Sequence, residues 1–404
     1  MAKDANGENT ADNLSESMPV PANGAESVLL GLKFHGVDYL FANAGTDFPP
    51  IIEALCKLPS ERMPQPITIP HETASVGMAH GYFLVTGKPQ AVMVHVNVGL
   101  ANAIMGVINA ASDNVPVLVM SGRTPITESG RLGSRMSPIQ YGQEMYDQSS
   151  LVSDVVKYHY EMRYPEQGEP LVARALAISK SDPAGPTYLS LPREPLCEAI
   201  GDEQQIAFTV RPAASIAYPD PQVISAIAEQ LGKSQKPLLL VQRGDVEGRL
   251  SSVLQSFCLK HLVAVCEPFP VRNVMPSDHP AFLGHDIASA LAEADLVIAL
   301  DCEIPWLEAA HPIPAETPII HIGPDPHFTK MPFRNYRTDI ALRSDPVAAV
   351  TALGEALVDP LPNSQARKTA LAERKSARNE RLKALIEAGN ASPIGAEWLS
   401  HCIS

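Results

Sequence analysis

No stretch of this chain is apolar for long enough to cross a bilayer: the longest runs, Ala91 to Val96 and Pro116 to Met120, fall far short of the roughly 20 residues a spanning helix needs. The opening MAKDANGENTADNLSES has no apolar core of the secretory kind. A cytoplasmic location without a membrane partner is the expectation. Cysteine is scarce and scattered. Cys56, Cys197, Cys258, Cys266, Cys302 and Cys402 form no C-x-x-C pair and no cluster with histidine, so neither a disulfide framework nor a structural zinc is indicated. Basic residues are outnumbered by acids, 31 to 45, and a formal net charge of −14 repels polyanions. Nucleic acid is thereby set aside as the main partner in favour of small molecules. No repeat of solenoid period is present either.

What is there is ample material for burial. At 45% hydrophobic and 19% charged, 404 residues suffice for two or three cores of ordinary domain size. Residues 1–22 are polar and read as a mobile tail. From Gly24, short continuous apolar runs (VDYLF, ITI, AVMVHV, PVLVMS, PTYLSL) alternate with helical patterns, which points to a parallel sheet covered on both faces. This first domain is placed at 23–195. A polar, proline-containing linker is expected at 196–220. The alternation resumes with PLLLVQRG, LVAVCEP, ADLVIALD and PIIHIG, a second α/β domain at 221–358. Both are expected to be doubly wound. GDVEG, at 244–248, lacks the dinucleotide fingerprint and reads as a plain strand-to-helix turn. In 359–404, seven Lys/Arg lie between Arg367 and Lys383 against two Glu, the pattern of a helix facing water.

One segment, PHETASVGMAHGY at 70–82, asks for more explanation than packing supplies. Glu72 stands at the first turn of a helix, where the dipole favours an acid by about 0.3 to 1 kcal/mol. That accounts for the charge alone. Ala74, Gly77, Met78 and Gly81 recur at i, i+3, i+4, i+7, and Gly inside a helix costs about 1 kcal/mol against Ala. A mostly small stripe of this kind predicts a tight contact along one face.

In order along the chain, FANAGTDFPPIIEAL (41–55), PHETASVGMAHGYFLVTGKP (70–89) and HVNVGLANAIMGVINAASDNVPVLVMSG (95–122) resemble the pyrimidine-binding domain of thiamine-diphosphate enzymes. The similarity is to the acetolactate synthase and benzoylformate decarboxylase superfamily. PLLLVQRGD, SDHPAFLGH, ADLVIALD and IIHIGPDP resemble its middle domain in the same order. The resemblance implies that Glu72 bonds the cofactor's aminopyrimidine ring and activates it, as suits a carboxyl whose pKa burial raises. It matches His95, at a strand end, with an active-site histidine of the decarboxylases, where synthases usually have Thr. His279, in a His-Pro phrase, matches a second such histidine. Thr46 matches a hydroxyl residue that touches the substrate carboxylate, Asn97, Gly99 and Asn102 a turn that approaches cofactor or neighbouring subunit, and Gln143 a glutamine near the active site. The family's proline before the turn glycine is Ala44 here.

The family's third domain holds the diphosphate through Mg²⁺ with a Gly-Asp-Gly run followed by Asn, and no Gly-Asp-Gly occurs in this sequence. SPIGAEWLSHCIS resembles the opening helix of that domain. The expectation is therefore an α/β chain of two doubly wound parallel-sheet domains, with the diphosphate domain absent and 359–404 a linker helix plus its start. Two functions remain open: a thiamine-diphosphate-dependent lyase or ligase of 2-oxo acids, completed by a homo-oligomer or partner chain that brings Mg²⁺, or an inactive paralogue that only binds or dimerises. Some relatives hold FAD in the middle domain, and GDVEG gives no motif for it here.

Overall fold

The computed structural model describes residues 18–201, 203, 206–361 and 363–403. Most of the tail expected at 1–22 lies outside the described residues. The chain divides into two compact units, up to Ser215 and from Ile216.

The first unit is a six-stranded, all-parallel sheet in the order β2-β1-β3-β4-β6-β5. Its strands are β1 (Tyr39–Ala42), β2 (Gln65–Thr68), β3 (Gln90–Val94), β4 (Val117–Arg123), β5 (His159–Glu161) and β6 (Thr187–Pro192). The helices are α1 (Gly24–Phe34), α2 (Pro49–Lys57), α3 (Glu72–Thr86), α4 (Val96–Ser112), α5 (Ile139–Gly142), α6 (Gly168–Lys180) and α7 (Arg193–Cys197). The central strands read as unbroken apolar runs because each face meets helices. Met93, Leu118 and Met120 enter one core with Leu29 of α1, Ile51 of α2 and Leu176 of α6. Val92, Val94, Val117 and Val119 point the other way, onto Val76 of α3 and Leu100 and Val107 of α4. Each fully buried side chain of this kind contributes about 1.5–3 kcal/mol relative to exposure. The strand order reverses between β1 and β3, and the crevice outside the carboxyl ends at such a reversal is where open α/β sheets collect ligands.

The small-residue stripe of α3 is not where its tight contact is made. Ala74, Gly77, Met78 and Gly81 are exposed, and a Cβ added at Gly77 or Gly81 meets nothing within 4 Å. Closeness between α3 and α4 comes from Gly106 of α4, where a Cβ would sit 2.7 Å from the Val76 side chain.

The second unit repeats the architecture, with sheet order β12-β11-β10-β7-β8-β9. Its strands are β7 (Pro237–Val241), β8 (Ala264–Cys266), β9 (Phe282–Gly284), β10 (Leu296–Leu300), β11 (Ile319–Gly323) and β12 (Ile340–Arg343). Its helices are α8 (Pro221–Lys233), α9 (Arg249–His261), α10 (Ala288–Ala292), α11 (Pro346–Ala356), α12 (Ser364–Gly389) and α13 (Ala396–Ile403). The 244–248 segment is a strand-to-helix turn: the Asp245 carboxylate accepts from the amides of Arg249 and Leu250 at 3.0 and 2.7 Å and so occupies the start of α9.

The basic run forms a helix, but it does not simply face water. Arg367 is 1% exposed, and its guanidinium donates to the carbonyls of Ser234 (3.0 Å), His261 (2.8 Å) and Leu231. These carbonyls end α8 and α9, so one cation satisfies orphan acceptors and both helix dipoles at once. Burial pulls the Arg367 pKa down to about 10, still charged at neutral pH. Further along, Lys375 donates to the carbonyls of His279 (3.0 Å) and Phe282 (2.9 Å).

Candidate active site

The turn after β1 is stitched to its neighbours by Asn43, whose amide donates to Met93 O at 3.0 Å and whose side chain donates to Ile69 O at 3.1 Å. The turn then delivers Asp47, 1% exposed, to the carboxyl end of β3. There its Oδ1 lies 2.5 Å from His95 Nδ1, and its Oδ2 accepts the Val96 amide at 3.1 Å. His95 is the residue before α4. Val96 follows with φ of +32°, a left-handed conformation that a β-branched residue adopts at a cost of about 1–3 kcal/mol. The Asp47 bond and the Gly99 amide, donating to His95 O at 2.6 Å, hold that strained step in place.

Two glycines make room for the pair. A Cβ on Gly45 would overlap the His95 ring, and one on Gly122, in β4, would overlap the Asp47 carboxylate. Any larger residue at either position evicts half of the dyad.

The Asp47 hydrogen bond is the largest influence on His95 and raises its pKa above 6.5; burial opposes this, and the negative charges of Asp47 and Glu72 add to the rise. Since the folded-state value lies above the unfolded one, the stabilisation is full below pH 6.5 and is lost as pH rises through the folded value. In a heteronuclear NMR titration, His95 should remain imidazolium to higher pH than a free histidine, and Asp47→Asn should move its midpoint down. A midpoint unmoved by that substitution would contradict the coupling. The other ring nitrogen, Nε2, stands 3.4 Å from Gln143 Nε2. Gln143 Oε1 and Asn97 Oδ1 are buried without partners, two acceptors available to a ligand.

Glu72 begins α3, the helix that follows β2, the strand beside β1 at the sheet edge. It is 8% exposed, and its Oε2 accepts from Asn102 Nδ2 at 3.2 Å. Thr73 Oγ1 in turn donates to Asn102 O at 2.7 Å, tying the start of α3 to α4. The second carboxylate oxygen of Glu72 has no donor among the described residues. This half-satisfied, enclosed acid has the chemistry to meet a ring nitrogen of an aminopyrimidine.

Of the residues the sequence singled out, Glu72 is paired with Asn102 and His95 with Gln143, the charge of Glu72 reaches His95, Asn97 lies two positions after His95 in the first turn of α4, and exposed Thr46 shares a narrow crevice with Asp47, Val96, Gln143 and Arg193. Gly99 is spoken for by packing: its Cβ would meet Val94 at 2.9 Å. His279 belongs to the second unit, where its Nδ1 accepts the Ala281 amide at 3.2 Å. Sequence reasoning missed Asp47 and Arg193. The Gly45 and Gly122 pair was the only signal for Asp47, and it is legible only once β1, β3 and β4 are side by side.

Residues 22–151 match the family model described as thiamine pyrophosphate enzyme, N-terminal TPP binding domain, and residues 224–353 the one described as thiamine pyrophosphate enzyme, central domain. A Pseudomonas aeruginosa protein named "Probable 2-ketoarginine decarboxylase" is 28% identical over 367 residues, 88% of this chain and 60% of its own length. The acetolactate synthase large subunit of Parasynechococcus marenigrum is 26% identical over 301 residues, 71% of this chain and 46% of its own length. The crystal structure of benzoylformate decarboxylase from Polynucleobacter necessarius has the same fold, with a TM-score of 0.70 at 21% identity over 83% of this chain and 61% of that one. The chain thus spans about half to three fifths of the length of these relatives.

Proposed function

Because the chain belongs to the thiamine pyrophosphate enzymes, through their N-terminal and central domains, we propose that it works as a thiamine-diphosphate-dependent carbon–carbon lyase or ligase on a 2-oxo acid. Thiamine diphosphate, when bound, supplies the electron sink that this bond cleavage needs. The observation that carries the reading is Glu72, enclosed, anchored on one oxygen by Asn102 and open on the other, with its charge felt by His95 across the β1/β3 reversal. In this reading Glu72 shares a proton with the aminopyrimidine ring, Asn97 and Gln143 accept from its donors or from substrate, and His95 Nε2 gives a proton to the reacting substrate. Asp47 keeps that imidazole aimed and charged. Relatives named for decarboxylation of 2-ketoarginine and benzoylformate support the 2-oxo acid class, and the synthase among them supports carbon–carbon ligation.

The diphosphate and its Mg²⁺ are proposed to be held by residues outside this sequence, brought by a homo-oligomer or by a partner chain. Two facts support this: the sequence has no Gly-Asp-Gly, and among the described residues no group of three His, Cys, Asp or Glu is disposed to hold a metal. A hard cation bridging a diphosphate needs such oxygen ligands. Calorimetry of this chain alone with thiamine diphosphate and Mg²⁺ should show no tight binding, and a sub-micromolar affinity would refute the divided site.

A further inference from the structure

Three arginines in very different states lie on β4, on the loop after it and just past β6, and two of them, Arg123 and Arg193, line the crevice that holds Asp47 and Val96. Arg123 is paired with Glu161 and with Glu144 at 2.9 Å. Arg135 is paired with Glu144, and its Nε donates to Pro125 O at 3.1 Å. Arg193 is 6% exposed, and its Nε is buried without a hydrogen-bond partner. Among the described residues no carboxylate pairs with it, and the adjacent Glu194 spends its Oε1 on the amide and hydroxyl of Thr127, both at 2.8 Å. The loop around Gly133 lies against the Arg193 stem, where a Cβ on that glycine would sit 3.3 Å from Arg193 Cβ. A guanidinium whose Nε is desolvated without an acceptor, and whose terminal nitrogens have no acceptor among the described residues, is open to a partner from outside the fold.

The crevice it lines also contains Thr46, Thr124, Gln140 and Gln143, so whatever meets Arg193 lies next to the candidate active site. Arginine's planar fork suits a carboxylate. A carboxylate about to leave as carbon dioxide is poorly served by a fixed cation, because the ion pair is stronger in the ground state than in the transition state. A carboxylate that survives the reaction has no such conflict.

We propose that Arg193 binds a second, distal acid group of the substrate, so that this chain acts on a 2-oxo acid with an anionic tail. The proposal rests on the 2-oxo acid reading above and adds the chemistry of the tail. The crevice is too narrow to enclose a whole ligand and takes the distal acid group alone, leaving the other carboxylate to the imidazolium of His95, so that a diacid meets two cations and a monoacid one.

The test is equilibrium binding to the full chain, without cofactor, of glutarate, butyrate and 4-guanidinobutyrate, which share one carboxylate and differ at the far end. Glutarate is expected to bind more tightly than the other two, Arg193→Met to weaken it about thirtyfold or more, and Arg193→Lys to restore part of the loss. The thermal midpoint of Arg193→Met should equal or exceed that of the wild type, since no internal partner is lost. Equal affinity for glutarate and butyrate, tighter binding of the guanidino acid, no glutarate binding at all, or wild-type affinity in Arg193→Met would each overturn the assignment. Arginine-dependent glutarate binding in a protein that never takes thiamine diphosphate, even with its partner chain, would leave the subsite standing and bring down the functional reading instead.

Discussion

With the diphosphate site supplied by its partner, a Glu72→Gln chain is expected to turn over a 2-oxo acid about two to four orders of magnitude more slowly than wild type, the usual yield of a positioned acid–base group. Glutamine is nearly isosteric and still offers an oxygen to Asn102 Nδ2, so the contact between α3 and α4 survives. What it loses is a proton that can be shared at the open oxygen. The thermal midpoint should therefore stay near that of wild type while kcat collapses. A variant within about threefold of wild type would reduce Glu72 to an acid favoured by its helix dipole, a fraction of a kcal/mol.

The second large effect is on stability. Arg367→Met is expected to cost the second unit about 3 to 5 kcal/mol, because three buried carbonyls at the ends of α8 and α9 lose their donor together. Methionine keeps most of the stem, so the loss reports the guanidinium. Both tryptophans, Trp306 and Trp398, lie in this unit, so urea unfolding followed by their fluorescence isolates it from the first. A shift below about 1 kcal/mol would mean that water replaces the arginine at little cost.

Why one of these residues was legible and the other was not follows from the range of the forces involved. The long central strands announce themselves because both faces of each are buried, leaving continuous apolar runs such as Val117–Met120. β5 and β9 do not: each is three residues long, and β5 is a half-exposed edge strand. Glu72 and His95 were visible because their phrases are local. Asp47 looks like any acid ahead of a helix, and Arg367 like any cation in a charged run. Their burial is decided by groups 48 and more than 100 positions away, the His95 ring and the carbonyls that end two helices. The stripe on α3 is the converse case, since its spacing predicted a tight contact and no described residue comes within 4 Å of a Cβ built on Gly77 or Gly81. That face is open to the partner proposed above.

The glycines beside the dyad also constrain how such a site can be acquired by descent. An ancestor with any side chain at the position of Gly122 could not have accepted Asp47, and one with a side chain at the position of Gly45 could not have accepted the present His95 rotamer. The permissive changes to glycine must come first, without benefit from the acid or the base. Once the pair is in place, reversal to alanine at Gly122 becomes harmful only while Asp47 remains. The four positions are therefore entrenched as a set, and Gly122→Ala should be tolerated far better in an Asp47→Ala background than alone.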